Sequence, residues 1–147
     1  MEIFTDGSAL SNKKDACAGW AVYYVELDKI RSGNMHGTNN QAELFAIKTA
    51  LWYCDEHLKL TDTAIVIKSD SEYAINAATG KNRAMANKDT IAAIHKLIKK
   101  LESGKNSVTF VHVDAHTGGS DRDSIYNDIV DKEARRQATI LSKSEEK

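Results

Sequence analysis

The stretch from Thr38 to Leu58 constrains the fold more than any other. Leu44, Ile47, Leu51, Cys54 and Leu58 recur at spacings of three and four, which lays one apolar stripe along an α-helix. Thr38-Asn39-Asn40 is its start signal. Strand-like runs flank this helix. Ile3 to Asp6, Gly19 to Leu27 and a weaker run over Lys29 to Met35 precede it, and Ala64 to Ser69 follows it. A strand, a helical crossover and another strand force parallel pairing, ordinarily right-handed. The three leading strands have short connections and are expected to be antiparallel neighbours.

Beyond Asp70 the reading continues with a short helix over Ser71 to Ala78 and a basic connector from Lys81-Asn82-Arg83. An amphipathic helix follows, marked by Ile91, Ile94, Ile98 and Leu101, then a strand over Val108 to Val113. A polar loop from His116 leads to a last helix from about Ile125 to Leu141. The order βββαβααβα predicts an α/β fold, a five-stranded mixed sheet flanked by helices. With 147 residues, one domain over 1–141 is expected, with a frayed tail over 142–147.

The formal net charge is −1, so a polyanion partner must meet a local basic patch or be held through metal ions. No apolar run approaches a membrane span, and no basic and apolar leader opens the chain. A cytoplasmic protein without membrane attachment is expected. Cys17 and Cys54 lack CxxC spacing and read as buried thiols in a reducing compartment rather than as a disulfide or a zinc site.

Four acids stand out by position. Asp6 ends the first strand and Asp70 the fourth; Glu43 lies in the first turn of the long helix. Asp131 follows Asn127 by four residues, so both share one helix face. Each has a purely structural reading. Asp6-Gly7 can be a turn pair, Glu43 a capping-box acid answering Asn40, Asp70 the N-cap of the next helix, and Asp131 a solvated charge. Gathered at one sheet edge, where open α/β sheets bind ligands, they would repel one another unless a cation neutralised them. All-oxygen donors suit Mg²⁺ or Mn²⁺. Two such ions roughly 4 Å apart would clamp an in-line phosphoryl displacement, activating a water and stabilising the leaving 3′ oxygen.

These residues carry a resemblance. TDGS at Thr5–Ser8, TNNQAEL at Thr38–Leu44, SDSEY at Ser69–Tyr73 and AHTGG…NDIVDKEAR at Ala115–Arg135 resemble type 1 ribonuclease H, in order and spacing, over about residues 1 to 140. The resemblance implies an endonuclease that hydrolyses the RNA strand of RNA–DNA hybrids with two divalent ions, leaving 5′-phosphate and 3′-hydroxyl ends. It implies a sheet of order 3-2-1-4-5. Asp6 would bridge both ions, Glu43 and Asp70 would hold one, and Asp131 the other. Asn12, Asn39, Glu43, Glu72 and Tyr73 fall where the family reads 2′-hydroxyls, the group that separates RNA from DNA. Thr38 and Asn87 fall on a phosphate pocket for the DNA strand. Neutral donors and helix N-termini can hold phosphates without a large net charge. His116 matches a mobile histidine that assists product release or proton transfer. A monomer is expected.

The chain also departs from the family pattern. Asn12 is followed by Lys13-Lys14-Asp15-Ala16 instead of Pro-Gly, and Glu72 stands where Gln is common. The loop from His116 to Asn127 reads as long and carries Asp121 and Asp123, with Asp128 just beyond. No basic protrusion intervenes between Gly80 and Asn87, and no hybrid-binding module is read ahead of the domain. A lysine face of Lys96, Lys99 and Lys100, with Lys81, Arg83 and Lys88, is the expected replacement grip; an ordinary solvated helix face is the alternative. Two other functions fit less well: a DNA-directed nuclease of the same superfamily, and a catalytically silent hybrid-binding module. The residues beside Glu43 and Asp70 argue against the first, and retention of all four acids against the second.

Overall fold

A computed structural model of the chain describes residues 1–81, 86–114 and 121–146. The strands are β1 (Glu2–Ala9), β2 (Cys17–Tyr24), β3 (Lys29–His36), β4 (Ala64–Ser69) and β5 (Ser107–His112). The helices are α1 (Asn39–Glu56), α2 (Glu72–Thr79), α3 (Lys88–Ser103) and α4 (Arg122–Glu145). The sheet order is β3-β2-β1-β4-β5. β1 pairs antiparallel with β2, and β2 with β3; β4 pairs parallel with β1 and with β5. The mixed sheet expected from the crossover pattern is the one observed. No helix among the described residues is long and apolar enough to cross a membrane.

Period-2 alternation divides β1 between two cores. Ile3 packs with Val22, Tyr24, Ile65 and Ile67 against the stripe of α1, where Leu44, Ile47, Leu51 and Cys54 are buried. Phe4 lies on the other face with Ala21 and with Val130 and Ala134 of α4. Each large apolar side chain taken fully out of water stabilises the fold by roughly 1.5–3 kcal/mol. Leu51→Ala would cost about 2–5 kcal/mol once the cavity is included.

Two glycines let the helices come close. A Cβ on Gly7 would lie 2.4 Å from the backbone of Ala42 and Glu43 on α1. A Cβ on Gly19 would lie 2.0 Å from the Ala134 carbonyl on α4. Charges fix the start of α4. Lys68 on β4 bridges Glu2 (2.7 Å) and Asp123 (2.9 Å), and Arg122 also pairs with Glu2.

Several boundaries differ from the sequence reading. Asp6 is not a strand end. β1 runs on to Ala9, and Asp6 and Gly7 pair with Ala21 and Trp20 of β2. Cross-strand pairing overrides the local turn signal. α4 begins at Arg122, capped by Asp121, so Asp123, Asn127 and Asp128 are helical and the preceding loop is shorter than expected. At its other end α4 runs past Leu141, so the tail expected to fray is helical through Glu145. Cys54 is buried as expected, but Cys17 is only half-buried.

Candidate active site

The site forms where β1 outruns its parallel neighbour. β4 pairs with β1 only over Glu2 to Phe4, and Asp6 lies just past that pairing. Its antiparallel partner β2 continues beside it, so the backbone is held while the β4 side lies open. Asp6 shares the α4 face of the sheet with Phe4 and is 2% exposed.

Glu43 arrives from α1 through the close approach at Gly7. It is not the capping acid: Thr38 is the N-cap and forms a capping box with Gln41, donor and acceptor both ways. Glu43 therefore sits two residues further into the helix than expected. Relieved of a capping duty, it is buried against β1. Asp70 follows the end of β4. It does not cap α2 either, because the Ser71 hydroxyl accepts from the Ala74 N–H. Each acid is thus left to the site by a neighbour that does the capping.

Ligand oxygens of Asp6, Glu43 and Asp70 lie within 4.8 Å of one another. Asp131 on α4 is buried as well, with Arg135 Nε donating to its carboxylate at 3.3 Å. It is no solvated surface charge. Asn127, one turn earlier, is 3% exposed and its amide reaches Asp70 Oδ2 at 3.5 Å. The sequence reading placed Asn127 on the same face as Asp131 but gave it no role. His112, at the end of β5, reaches the Asp70 carbonyl at 3.2 Å and was missed. Parallel pairing of β4 with β5, Ser69 opposite His112, was the signal that could have found it.

Burial raises the Asp6 carboxyl well above its ordinary value, and the charges of Glu43, Asp70 and Asp131 raise it further. Glu43 is raised chiefly by burial as well, with Asp70 and Asp131 adding to it; its hydrogen bond with Asp6 and the Gly7 amide act in the opposite direction. Asp6 Oδ2 and Glu43 Oε2 are buried without a hydrogen-bond partner, as is Asn127 Oδ1. A buried acceptor left unmatched costs about 1–3 kcal/mol, more when charged. A hard divalent cation answers all of this at once: it neutralises the repulsion and ligates the orphaned oxygens. The residues present fit such an ion.

Two polar grooves lie at the N-terminal turns of α1 and α3. One, of about 230 Å³, is lined by Ser11, Asn12, Thr38, Asn39 and Asn40. Asn39 Oδ1 accepts from the Ala9 N–H there, tying α1 to the end of β1. The other, of about 550 Å³, is lined by Gln41, Ala86, Asn87, Lys88, Asp89 and Thr90, between the starts of α1 and α3. Thr38 and Asn87, expected in one phosphate pocket, line different grooves, and Gln41 of the Thr38 capping box reaches the second. Asn87 donates to the Tyr73 hydroxyl at 2.9 Å, which joins two expected substrate residues. Glu72 and Tyr73 are exposed on the first turn of α2.

Lys96 and Lys99 are exposed on α3. Lys100 differs: it pairs with Asp55 (2.9 Å) and Glu56 (3.4 Å) of α1, which removes it from the expected grip. His116 and Arg83 lie outside the described residues.

The RNase H family model matches residues 1–139. A ribonuclease H of Neorickettsia sennetsu is 29% identical over 97% of this chain and 95% of its own length. One of Tropheryma whipplei is 32% identical over 94% and 84%. A probable ribonuclease H of Acanthamoeba polyphaga mimivirus is 32% identical over 61% of this chain and 43% of its own length, so the match spans less than half of that relative. Among solved structures, LC11-RNase H1 in complex with an RNA/DNA hybrid superposes with a TM-score of 0.74 at 23% identity, over 95% and 97% of the two chains. RNase H1 of Halobacterium salinarum superposes at 0.62 with 22% identity, over 92% and 95%. At these identities the structural likeness speaks for the fold.

Proposed function

The chain belongs to the ribonuclease H family, and from that premise we propose that it is an endonuclease hydrolysing the RNA strand of RNA–DNA hybrids, leaving 5′-phosphate and 3′-hydroxyl ends. The observation that carries the reading is the convergence of Asp6, Glu43 and Asp70 at the rim of the sheet, with buried oxygens left unpartnered. Asp6, Glu43, Asp70 and Asp131 would hold two Mg²⁺ or Mn²⁺ ions, which supply an activated water and charge stabilisation for an in-line displacement.

The chain's own residues do the rest. Asn127 orients Asp70 by its amide and keeps that carboxylate turned towards Asp6. Gly7 holds α1 close enough for Glu43 to reach the same place. The N-termini of α1 and α3, with Gln41 and Asn87 between them, offer backbone N–H groups to phosphates of the DNA strand. Asn12 and Asn39 line a groove where 2′-hydroxyls of the RNA strand would be read, with Glu72 and Tyr73 of α2 sharing that reading and Thr38 contributing to the phosphate contact. His116 assists proton transfer or product release. The protein acts as a monomer in the cytoplasm, its catalytic domain spanning residues 1–141.

The test uses a labelled hybrid, an RNA duplex and a DNA duplex, each with Mg²⁺, Mn²⁺ or EDTA. Metal-dependent cutting of the hybrid's RNA strand alone is expected, and Asp6→Asn abolishes it. Cutting of the DNA duplex, or an Asp6→Asn variant as fast as the parent, overturns the reading.

A further inference from the structure

A second convergence of metal-ligating side chains lies far from the acids. Cys17 opens β2 and His36 closes β3, and the two are direct cross-strand partners. Side chains of such a pair emerge on the same face of the sheet. Glu145, in the last turn of α4, completes the group. His36 Nε2 meets Glu145 Oε2 at 2.6 Å, and Cys17 Sγ donates to Glu145 Oε1 at 3.3 Å. All three ligand atoms lie within 4.8 Å of one another. From Asp131, in the middle of α4, to Glu145 at its end the helix rises about 21 Å, so this cluster is well separated from the acids.

We propose that Cys17, His36 and Glu145 form a second cation site, suited to Zn²⁺ and distinct from the acid cluster. Thiolate, imidazole and carboxylate are the three donor types that zinc accepts together, and a thiolate disfavours the hard ions that suit an all-oxygen site. A tetrahedral zinc with ordinary bond lengths sets its ligand atoms about 3.4–3.6 Å apart. His36 and Glu145, 2.6 Å apart, would part by roughly 1 Å to match, while Cys17 Sγ already lies 3.3 Å from a Glu145 oxygen. The His36 and Glu145 side chains are partly exposed, at 49% and 45%, so an ion can reach them and water can take the fourth position. On binding, the Cys17 thiol gives up its proton to solvent and the sulfur bonds the metal. The ion would pin the end of α4 to the β2–β3 hairpin.

The site was invisible in the sequence because its ligands come from three distant positions with no short motif. The proposal does not rest on the nuclease reading. The experiment titrates the full chain with Co²⁺, then with Zn²⁺, in excess Mg²⁺ so that the acids are filled. One equivalent of Co²⁺ is expected to give a thiolate charge-transfer band that Zn²⁺ abolishes. Cys17→Ser loses the band, and His36→Ala or Glu145→Gln weakens Zn²⁺ binding about tenfold or more. Zn²⁺ raises Tm for the parent but not for Cys17→Ser, while Cys54→Ser behaves as the parent. Absence of the band, its survival in Cys17→Ser, or equal Zn²⁺ stabilisation of parent and variants would show an ordinary ion pair only and overturn the proposal.

Discussion

Gly7→Ala is the sharpest probe of how the acids are brought together. The added methyl would sit 2.4 Å from Ala42 C and Glu43 N, about 1 Å short of ordinary carbon contact. Both obstructing atoms are backbone, so no rotamer change relieves the clash. The start of α1 must lift away from β1 by about 1 Å, and Glu43 goes with it. Overpacking of this kind costs about 1–3 kcal/mol, a fall in Tm of roughly 2–12 °C for a domain of this size. A misplacement of about 1 Å in a catalytic group lowers turnover on the order of a hundredfold. Steady-state cleavage of a labelled hybrid, run well below the variant's Tm, separates the two effects. Gly80→Ala is the control. Gly80 adopts φ 75°, and its Cβ would meet nothing within 4 Å. It should cost about 1 kcal/mol with activity unchanged. A Gly7→Ala variant with parental Tm and parental kcat would refute the claim that this close approach positions Glu43.

Three further outcomes follow from the charges. Asp6 and Glu43 hold protons in the folded state that the unfolded chain releases above its ordinary values of 3.8 and 4.5, so their burial destabilises the metal-free protein as pH rises through that window towards the raised folded values. In EDTA, Asp6→Asn should melt higher than the parent at neutral pH, with the gain vanishing below about pH 4; a lower Tm at neutral pH would contradict this. Glu2 is opposite in sign: the Arg122 hydrogen bond, aided by Lys68, outweighs burial and holds it down to about 2. Its contribution is present above 4.5 and lost as pH falls towards 2, so Glu2→Gln should lower Tm at neutral pH and converge on the parent in strong acid. Replacing Lys96 and Lys99 together by Ala should weaken hybrid binding and flatten its salt dependence by roughly one unit of slope for each phosphate left without a cation; Lys100→Ala, already paired with Asp55 and Glu56, should change the slope less, as filter binding across salt concentrations would show.

Much of the architecture was legible because it rests on periodicity. The stripe of α1 and the apolar run of β4 are local patterns, and a crossover between strands leaves few topologies. The four acids were legible as a set, from the order and spacing of the short motifs that carry them, although Asp6 and Glu43 do not stand at the strand and helix boundaries expected for them. What misled was local chemistry that tertiary partners override. Asp6-Gly7 looks like a turn, yet β2 pairs across it and the glycine is there for the helix above. Glu43 looks like a cap, yet Gln41 is nearer to Thr38 and takes that place. Lys100 looks like a free cation because Asp55 and Glu56 belong to another helix. The trio of Cys17, His36 and Glu145 had no local trace at all, since strand register and the length of α4 alone bring it together.

The overhang of β1 past β4 also bears on how the protein folds. Asp6 belongs to a meander of sequence neighbours, whereas Asp70 reaches it only after the long α1 crossover has closed. Local hairpins form before such distant pairings. A chain with only β1 to β3 in place has one acid of the cluster and no pocket for an ion. On the proposed reading, divalent binding requires β4 docked beside β1, and an ion would act as a late latch on folding. Metal added during refolding should leave the early steps untouched and slow only the reopening of the finished protein.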